Sequence, residues 1–207
     1  MKKIIKYIIL AVVVIVSLYN AVYFESLDKI KKGQDALVFN AKEFANDFMS
    51  NKKESLPAIN ANQFLLEAAK DVKSYAEQNG KKLGINNDYN FILEGNATVL
   101  SIEEENVIVQ LNEDNEQKVK IATDFIFGNA IRDASALADI GTFQNTMDFN
   151  NISVELNNIV RETIVPSFLK TVKEGDVIYF KGATKINIKK PDLKELRVIP
   201  LILKFNN

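Results

Sequence analysis

Along the chain, the spacing of apolar and polar positions changes four times, and each change predicts a different kind of element. Tyr7 to Phe24 carries no charge over 18 residues and follows the basic tail Lys2, Lys3 and Lys6. At ~1.5 Å per helical residue it would reach about 27 Å, close to the ~30 Å hydrocarbon core of a bilayer. This predicts a membrane-anchor helix, with Tyr7, Tyr19, Tyr23 and Phe24 as interfacial aromatics. Glu25 to Gly33 reads as its stalk. Next, Asn40 with Glu43 has the form of a capping box, and Ala41, Phe44, Ala45 and Phe48 recur at helical spacing. After Pro57, Asn60 or Asn62 can cap a longer helix bearing Leu65, Ala68, Val72, Tyr75 and Ala76 and stopping at Asn79-Gly80. The two predict a small helical hairpin.

From Asn90 the period becomes two. Thr98, Leu100 and Ile102, then Val107, Val109 and Leu111, then Val119, Ile121 and Phe125 predict three consecutive strands joined by short acidic turns. Gly95 inside the first predicts a bulge or bend. Residues 129–173 return to helical spacing, with Val154, Leu156, Ile159, Val160, Ile164 and Leu169 broken by Pro166. Asp176 to Ile188 and Leu196 to Phe205 predict two closing strands. The fold class is therefore α+β: an N-terminal membrane-anchor helix, a small helical hairpin, and a five-stranded OB-like β-barrel or sheet with a helical insert between strands 3 and 4. A five-stranded meander crossed by helices would give the same order. The divisions are 1–32 for anchor and stalk, 33–89 for the hairpin and 90–207 for the β-domain.

Composition narrows the chemistry. With no Cys and no His, thiol chemistry, imidazole bases, Ser-His-Asp triads and the usual zinc, haem and iron–sulfur ligand sets are excluded. An enzyme would have to work with carboxylates, Lys, Tyr or Ser, so a carboxylate-based hydrolase is the narrow enzymatic alternative. No cofactor is implied. A net charge of −1 supplies no general field for nucleic acid. The basic positions Lys181, Lys185, Lys189, Lys190, Lys194 and Arg197 read as guards on edge strands or contacts to anionic lipid. Tyr19, bulky where a cleavage site needs a small residue, argues against removal of the apolar segment. A short basic tail opposite a large domain favours an extracytoplasmic domain on a single-pass anchor, with a cytoplasmic domain as the alternative.

The block Phe127-Gly-Asn-Ala-Ile-Arg-Asp-Ala134 resembles the strand-to-helix segment of an uncharacterised bacterial family, the domain of unknown function twenty-two ninety-one, whose members are predicted periplasmic lipoproteins. That family's Gly-Thr-Ala-aliphatic-Arg-Asp is matched by Gly128, Ala130, Ile131, Arg132 and Asp133, with Asn129 in place of Thr. Phe39 to Phe44, Phe143-Gln-Asn145, Leu156-Asn157, Glu174 to Gly182 and Val198 to Leu203 extend the likeness over nearly everything after residue 30. Members usually carry a lipid-attachment cysteine, which this chain lacks; a retained helix would replace it. The resemblance implies a non-enzymatic accessory protein, with ABC-transporter components of a sugar-uptake system, or a carbohydrate, as partners. An independent small-ligand binding module is the alternative.

Gly128, Asn129, Arg132, Asp133 and Asn145 are the candidate ligand- or partner-binding residues. Gly128 permits a tight exit from the strand, Asn129 can cap the helix, and Asp133 sits where the helix dipole favours a carboxylate. Arg132 could offer its planar fork to a carboxylate or to hydroxyls, and Asp133 could accept from a ligand hydroxyl. As sequence neighbours on a helix, Arg132 and Asp133 are not expected to pair with each other. An open apolar patch near Phe143 and Met147 would instead point to a protein partner.

Overall fold

A computed structural model of the chain describes residues 2–21, 39–112, 117–143 and 145–206. Residues 1–39 and 40–207 form two separate compact units. The first contains α1 (Lys2–Ala21), in which Ile4, Leu10 and Ile15 are exposed. Among the described residues no helix is long and apolar enough to cross a membrane. The uncharged part of α1, Tyr7–Ala21, measures about 22 Å at ~1.5 Å per residue, short of the ~30 Å hydrocarbon core. Residues 22–24 of the expected span, and the stalk, lie outside the described residues.

The second unit is built on six strands: β1 (Ile59–Asn60), β2 (Asp88–Ile102), β3 (Asn106–Leu111), β4 (Lys118–Ala122), β5 (Val177–Asn187) and β6 (Arg197–Phe205). Their order is β1-β2-β3-β4-β6-β5, and β2 also pairs with β5, so the last five close a hydrogen-bonded ring. Only β4 with β6 runs parallel within that ring; β1 adds a short parallel pairing outside it. The fifteen residues of β2 make closure possible, since Asp88–Thr98 face β5 while Ala97–Ile102 face β3. Val99, Val107, Val109, Leu111, Val119, Ile121, Ile178 and Val198 share one buried core.

Two strand expectations are corrected here. In the part of β2 that faces β3, the buried residues are Ala97 and Val99, whereas Thr98 and Leu100 are only half-buried and Ile102 is exposed. A bulge between Val99 and Ser101 shifts the register, so a simple alternation counted back from Ile102 lands on the wrong face. Gly95 is not that bulge. It sits opposite Phe180 in an unbroken stretch of pairing with β5, where a Cβ would meet the Phe180 ring at an ordinary contact distance of 3.4 Å. The closing strands are paired on both sides, which removes the edge-guarding role of their lysines. Lys181 is buried, giving its Nζ to the carbonyls of Glu54 and Leu56 at 3.0 and 2.7 Å.

The helices do not form the expected hairpin. α2 (Ala41–Asp47), capped by Asn40 and extended by a wide turn to Lys52, packs on a helix from the far half of the chain. The longer helix is broken in two, α3 (Ala61–Ala68) and α4 (Val72–Asn79), because Asp71 accepts from the amides of Lys73 and Ser74 and starts a new helix. Phe64, Tyr75 and Phe91 meet edge-on or stacked, tying α3 and α4 to the ring's core. Between β4 and β5 come α5 (Ala130–Ser135), α6 (Thr146–Ile159) and α7 (Val165–Leu169). α6 and α7 are continuous through a wide turn at Val160–Ile164. Pro166 has no N–H to donate and its ring crowds the preceding turn, which a widened turn accommodates. Phe149, Ile152, Leu156 and Val160 form the buried stripe of this helix, and α5 covers β2 and β5.

Candidate functional site

The loop from β4 to α5 turns sharply. Phe125 has φ +46° and Gly128 φ +86°, the first a left-handed conformation that a bulky residue rarely takes. Ile126 between them is fully buried, while Phe125 and Phe127 are exposed and meet edge to face at 6.5 Å. Arg197 of β6 holds the loop, donating to the carbonyl of Asp124, to that of Phe125 at 3.4 Å, and to Asn106 Oδ1 at 2.7 Å. Burial pushes the Arg197 guanidinium below its ordinary value, and the nearby Glu105 and Asp124 pull it back.

α5 then carries the predicted cluster, in a different arrangement. Asn129 occupies the N-cap position, but its side chain makes no cap bond; its Nδ2 donates to Asp133 Oδ2 at 3.0 Å. Arg132 and Asp133 do form an ion pair. Nε and Nη2 of Arg132 both lie 2.8 Å from Asp133 Oδ1, and the two side chains are 3% and 7% exposed. The expectation failed because it placed the pair by the direction of their Cβ atoms; a long guanidinium side chain folds across one helical step. Nη1 of Arg132 reaches the Phe149 carbonyl at 3.1 Å and Asn150 Oδ1 at 3.2 Å, and its plane stacks 3.7 Å from the Phe149 ring centroid. Arg132 thus fastens α5 to α6.

Asn145 has a separate role. It caps α6, accepting from the Asp148 amide at 2.8 Å and donating to the Asp148 carboxylate at 2.9 Å. Phe143 is half-buried and packs on Phe149 with ring centroids 5.5 Å apart, while Met147 is exposed.

Beside the Arg132–Asp133 pair, α5, α6 and the loop before α5 line a half-open cavity of about 280 Å³. Phe127, Gly128, Asn129 and Arg132 line it from one side, and Asn150, Ser153, Val154, Asn157 and Arg161 from the other. No carboxylate is among these residues. Asn157 is 4% exposed and gives Nδ2 to the Gly128 carbonyl at 2.7 Å, which ties the helix to the loop. Its Oδ1 has no partner in the protein, and neither does Oγ of Ser153, which is 8% exposed. Neither atom is accessible to solvent, and an unpaired polar atom at such a position costs ~1–3 kcal/mol. Arg161, on the wide turn before Pro166, gives Nη1 to the Ile126 carbonyl at 2.5 Å and Nη2 to Asn158. Three of the five predicted residues, Gly128, Asn129 and Arg132, therefore line this cavity; Asp133 pairs with Arg132 beside it, and Asn145 does not line it. The α6 contributors were missed, although Asn150, Ser153, Asn157 and Arg161 recur at helical spacing and form one polar stripe.

A closed ring of five strands with its helical layer inserted between the third and fourth is the OB-fold arrangement, and the comparison with solved structures agrees. A crystal structure of an OB-fold protein from Thermotoga maritima MSB8 superimposes with a TM-score of 0.73, covering 81% of this chain and 99% of that one at 23% identity. No functionally curated protein matches the sequence. The chain belongs to the family described as predicted periplasmic lipoprotein, DUF2291, whose model matches residues 12–204. That description carries a membrane-attached, extracytoplasmic location; it names no activity.

Proposed function

We propose that this protein is a non-enzymatic binding module, held at the outer face of a membrane by its apolar N-terminal helix, with the α5–α6 cavity as its recognition site. The observation that carries the reading is the half-open cavity of about 280 Å³ beside the buried Arg132–Asp133 pair, with Arg132, Asn129, Asn150 and Arg161 in its lining. The absence of any carboxylate from its lining disfavours the hydrolase alternative. With no cysteine to take a lipid, α1 together with the residues that follow it is the remaining apolar segment able to attach the domain. Its partner in this reading is a component of a membrane uptake system, as the family resemblance implies.

The test is topological and physical together. The full-length product should stay at full mass in the membrane fraction and resist carbonate extraction. A cysteine introduced in place of the exposed Asn79 should react with a membrane-impermeant maleimide in intact spheroplasts. Labelling only after lysis would put the domain in the cytoplasm and sink the proposal.

A further inference from the structure

We infer that the cleft between α3, α4 and the β5–β6 connection is a second binding site, which takes an apolar monoanion such as an aryl or alkyl carboxylate. The cleft shares no residue with the α5–α6 cavity, so neither site depends on the other. Its volume is about 780 Å³, within the ~300–1,000 Å³ of small-molecule sites. The local sequence makes the space. α3 ends at Ala68 and Asp71 starts α4, so the two helices part at Ala68 and Ala69, whose side chains are single methyl groups. Pro191 to Lys194 of the β5–β6 connection, with Gln117 and Lys118 at the start of β4, supply the rest of the lining.

The surface that a ligand would meet is apolar. Ala69 and Pro191 are exposed, and Val72 and Leu193 are half-buried where they pack against the core residues Leu65 and Ala68. An apolar body laid on them removes both surfaces from water without disturbing the core. The charges decide which kind of apolar molecule fits. Both carboxylates of the lining are occupied by the protein. Asp71 accepts from the amides of Lys73 and Ser74 and, at 2.7 Å, from the Ser74 hydroxyl. Asp192 accepts from the Glu195 amide at 3.2 Å, and Lys120 feels its charge. Among the three lysines, Lys70 pairs with Glu67 at 2.8 Å. Lys118 and Lys194 have no ion-pair partner among the described residues. The parallel register of Lys120 with Arg197 brings the start of β4 beside the residues leading into β6, which sets both ammonium groups around one cleft. A cation would be repelled by both, and a neutral apolar molecule would gain nothing from either. A carboxylate on an apolar body uses the two kinds of surface together.

The experiment uses the full chain in phosphatidylcholine nanodiscs, with the methyl groups of Ala69 and Leu193 followed by NMR and empty discs as the reference for partitioning. The probes are 2-naphthoate and octanoate, their neutral amides 2-naphthamide and octanamide, and the cation octylammonium. We expect the carboxylates to shift both methyl signals saturably and to bind about tenfold more tightly than the amides, as for two exposed charge contacts. Added salt should weaken the carboxylates and leave the amides unchanged. Lys118→Gln and Lys194→Gln should each weaken carboxylate binding about two- to fivefold while leaving the thermal midpoint in place, because both lysines are exposed. Ala69→Phe, also at an exposed position, should fill the gap and abolish the shift at Leu193. Equal binding of carboxylates and amides, or a preference for octylammonium, would overturn the ligand class. If no probe moves either methyl signal, or if Ala69→Phe binds as before, the site itself falls.

Discussion

Asp133→Ala separates a buried ion pair from a mere helix-start charge, because the two predict losses of different size. If Asp133 served only the dipole of α5, its removal would lower stability by about 0.3–1 kcal/mol. In the structure its Oδ1 accepts from both Nε and Nη2 of Arg132 at 2.8 Å, its Oδ2 accepts from Asn129, and both charged side chains are more than nine-tenths buried. Alanine would leave the Arg132 charge in place without its counterion. Breaking one partner of such a pair costs about 3–5 kcal/mol, most of it the penalty of the abandoned charge. Arg132→Met with Asp133→Ala should be no worse than Asp133→Ala alone, since the double variant strands no charge, and the coupling should exceed about 1 kcal/mol. The chain has six Tyr and no Trp, so denaturant unfolding is best followed by circular dichroism. Arg132→Lys should also lower stability, because an ammonium can neither bridge Asp133, Phe149 and Asn150 together nor stack as a plane on the Phe149 ring. A loss below about 1 kcal/mol for Asp133→Ala, or additive single and double variants, would refute the ion-pair account.

Val109→Asp places a carboxylate at a fully buried position inside the strand ring and should cost several kcal/mol, about the penalty of an unpaired buried polar group or more, whereas Lys118→Glu at an exposed strand start should do little; similar tolerance of both in denaturant titrations would refute the register. Tyr179 is pushed well above its ordinary value of 10.0, first by burial and then by its hydrogen bond to Glu94, 2.7 Å away. A raised folded-state value means stability that is complete below the unfolded value and is lost as pH rises past it, so an alkaline decline above pH 10.0 should shrink in Tyr179→Phe; an identical decline in both proteins would show that other groups cause it.

The sequence made the ring legible where its pattern was undisturbed. Val107, Val109 and Leu111 alternate without interruption and lie where the period places them. β2 was harder, because a bulge invisible to a period-two count moves the core face from Leu100 to Val99. The helix break at Asp71 could be read, since an Asp followed three residues later by Ser is a cap signal, but it was hidden beneath an apolar stripe that continues across it. At the site, Arg132 and Asp133 stood out by residue type, while their pairing depends on side-chain length rather than helical phase. Asn150, Ser153, Asn157 and Arg161 escaped notice for another reason. On a helix that also buries Phe149, Ile152 and Leu156, a polar stripe normally means solvent, and only the packing of α5 and the β4–α5 loop converts it into a cavity wall.

This division of labour bears on what Arg132 is for. A group whose charge is matched and whose donors are nearly exhausted contributes little new to a ligand, but it fixes the distance between α5 and α6 on which the cavity depends. Ser153 and Asn157 sit beside the buried stripe of α6 and are themselves buried. Losing Arg132 should therefore weaken binding at the proposed site together with stability. In the proposed binding role, a structural and a functional reading of the Arg132–Asp133 motif are thus not rivals, because the ion pair holds together the wall of the cavity.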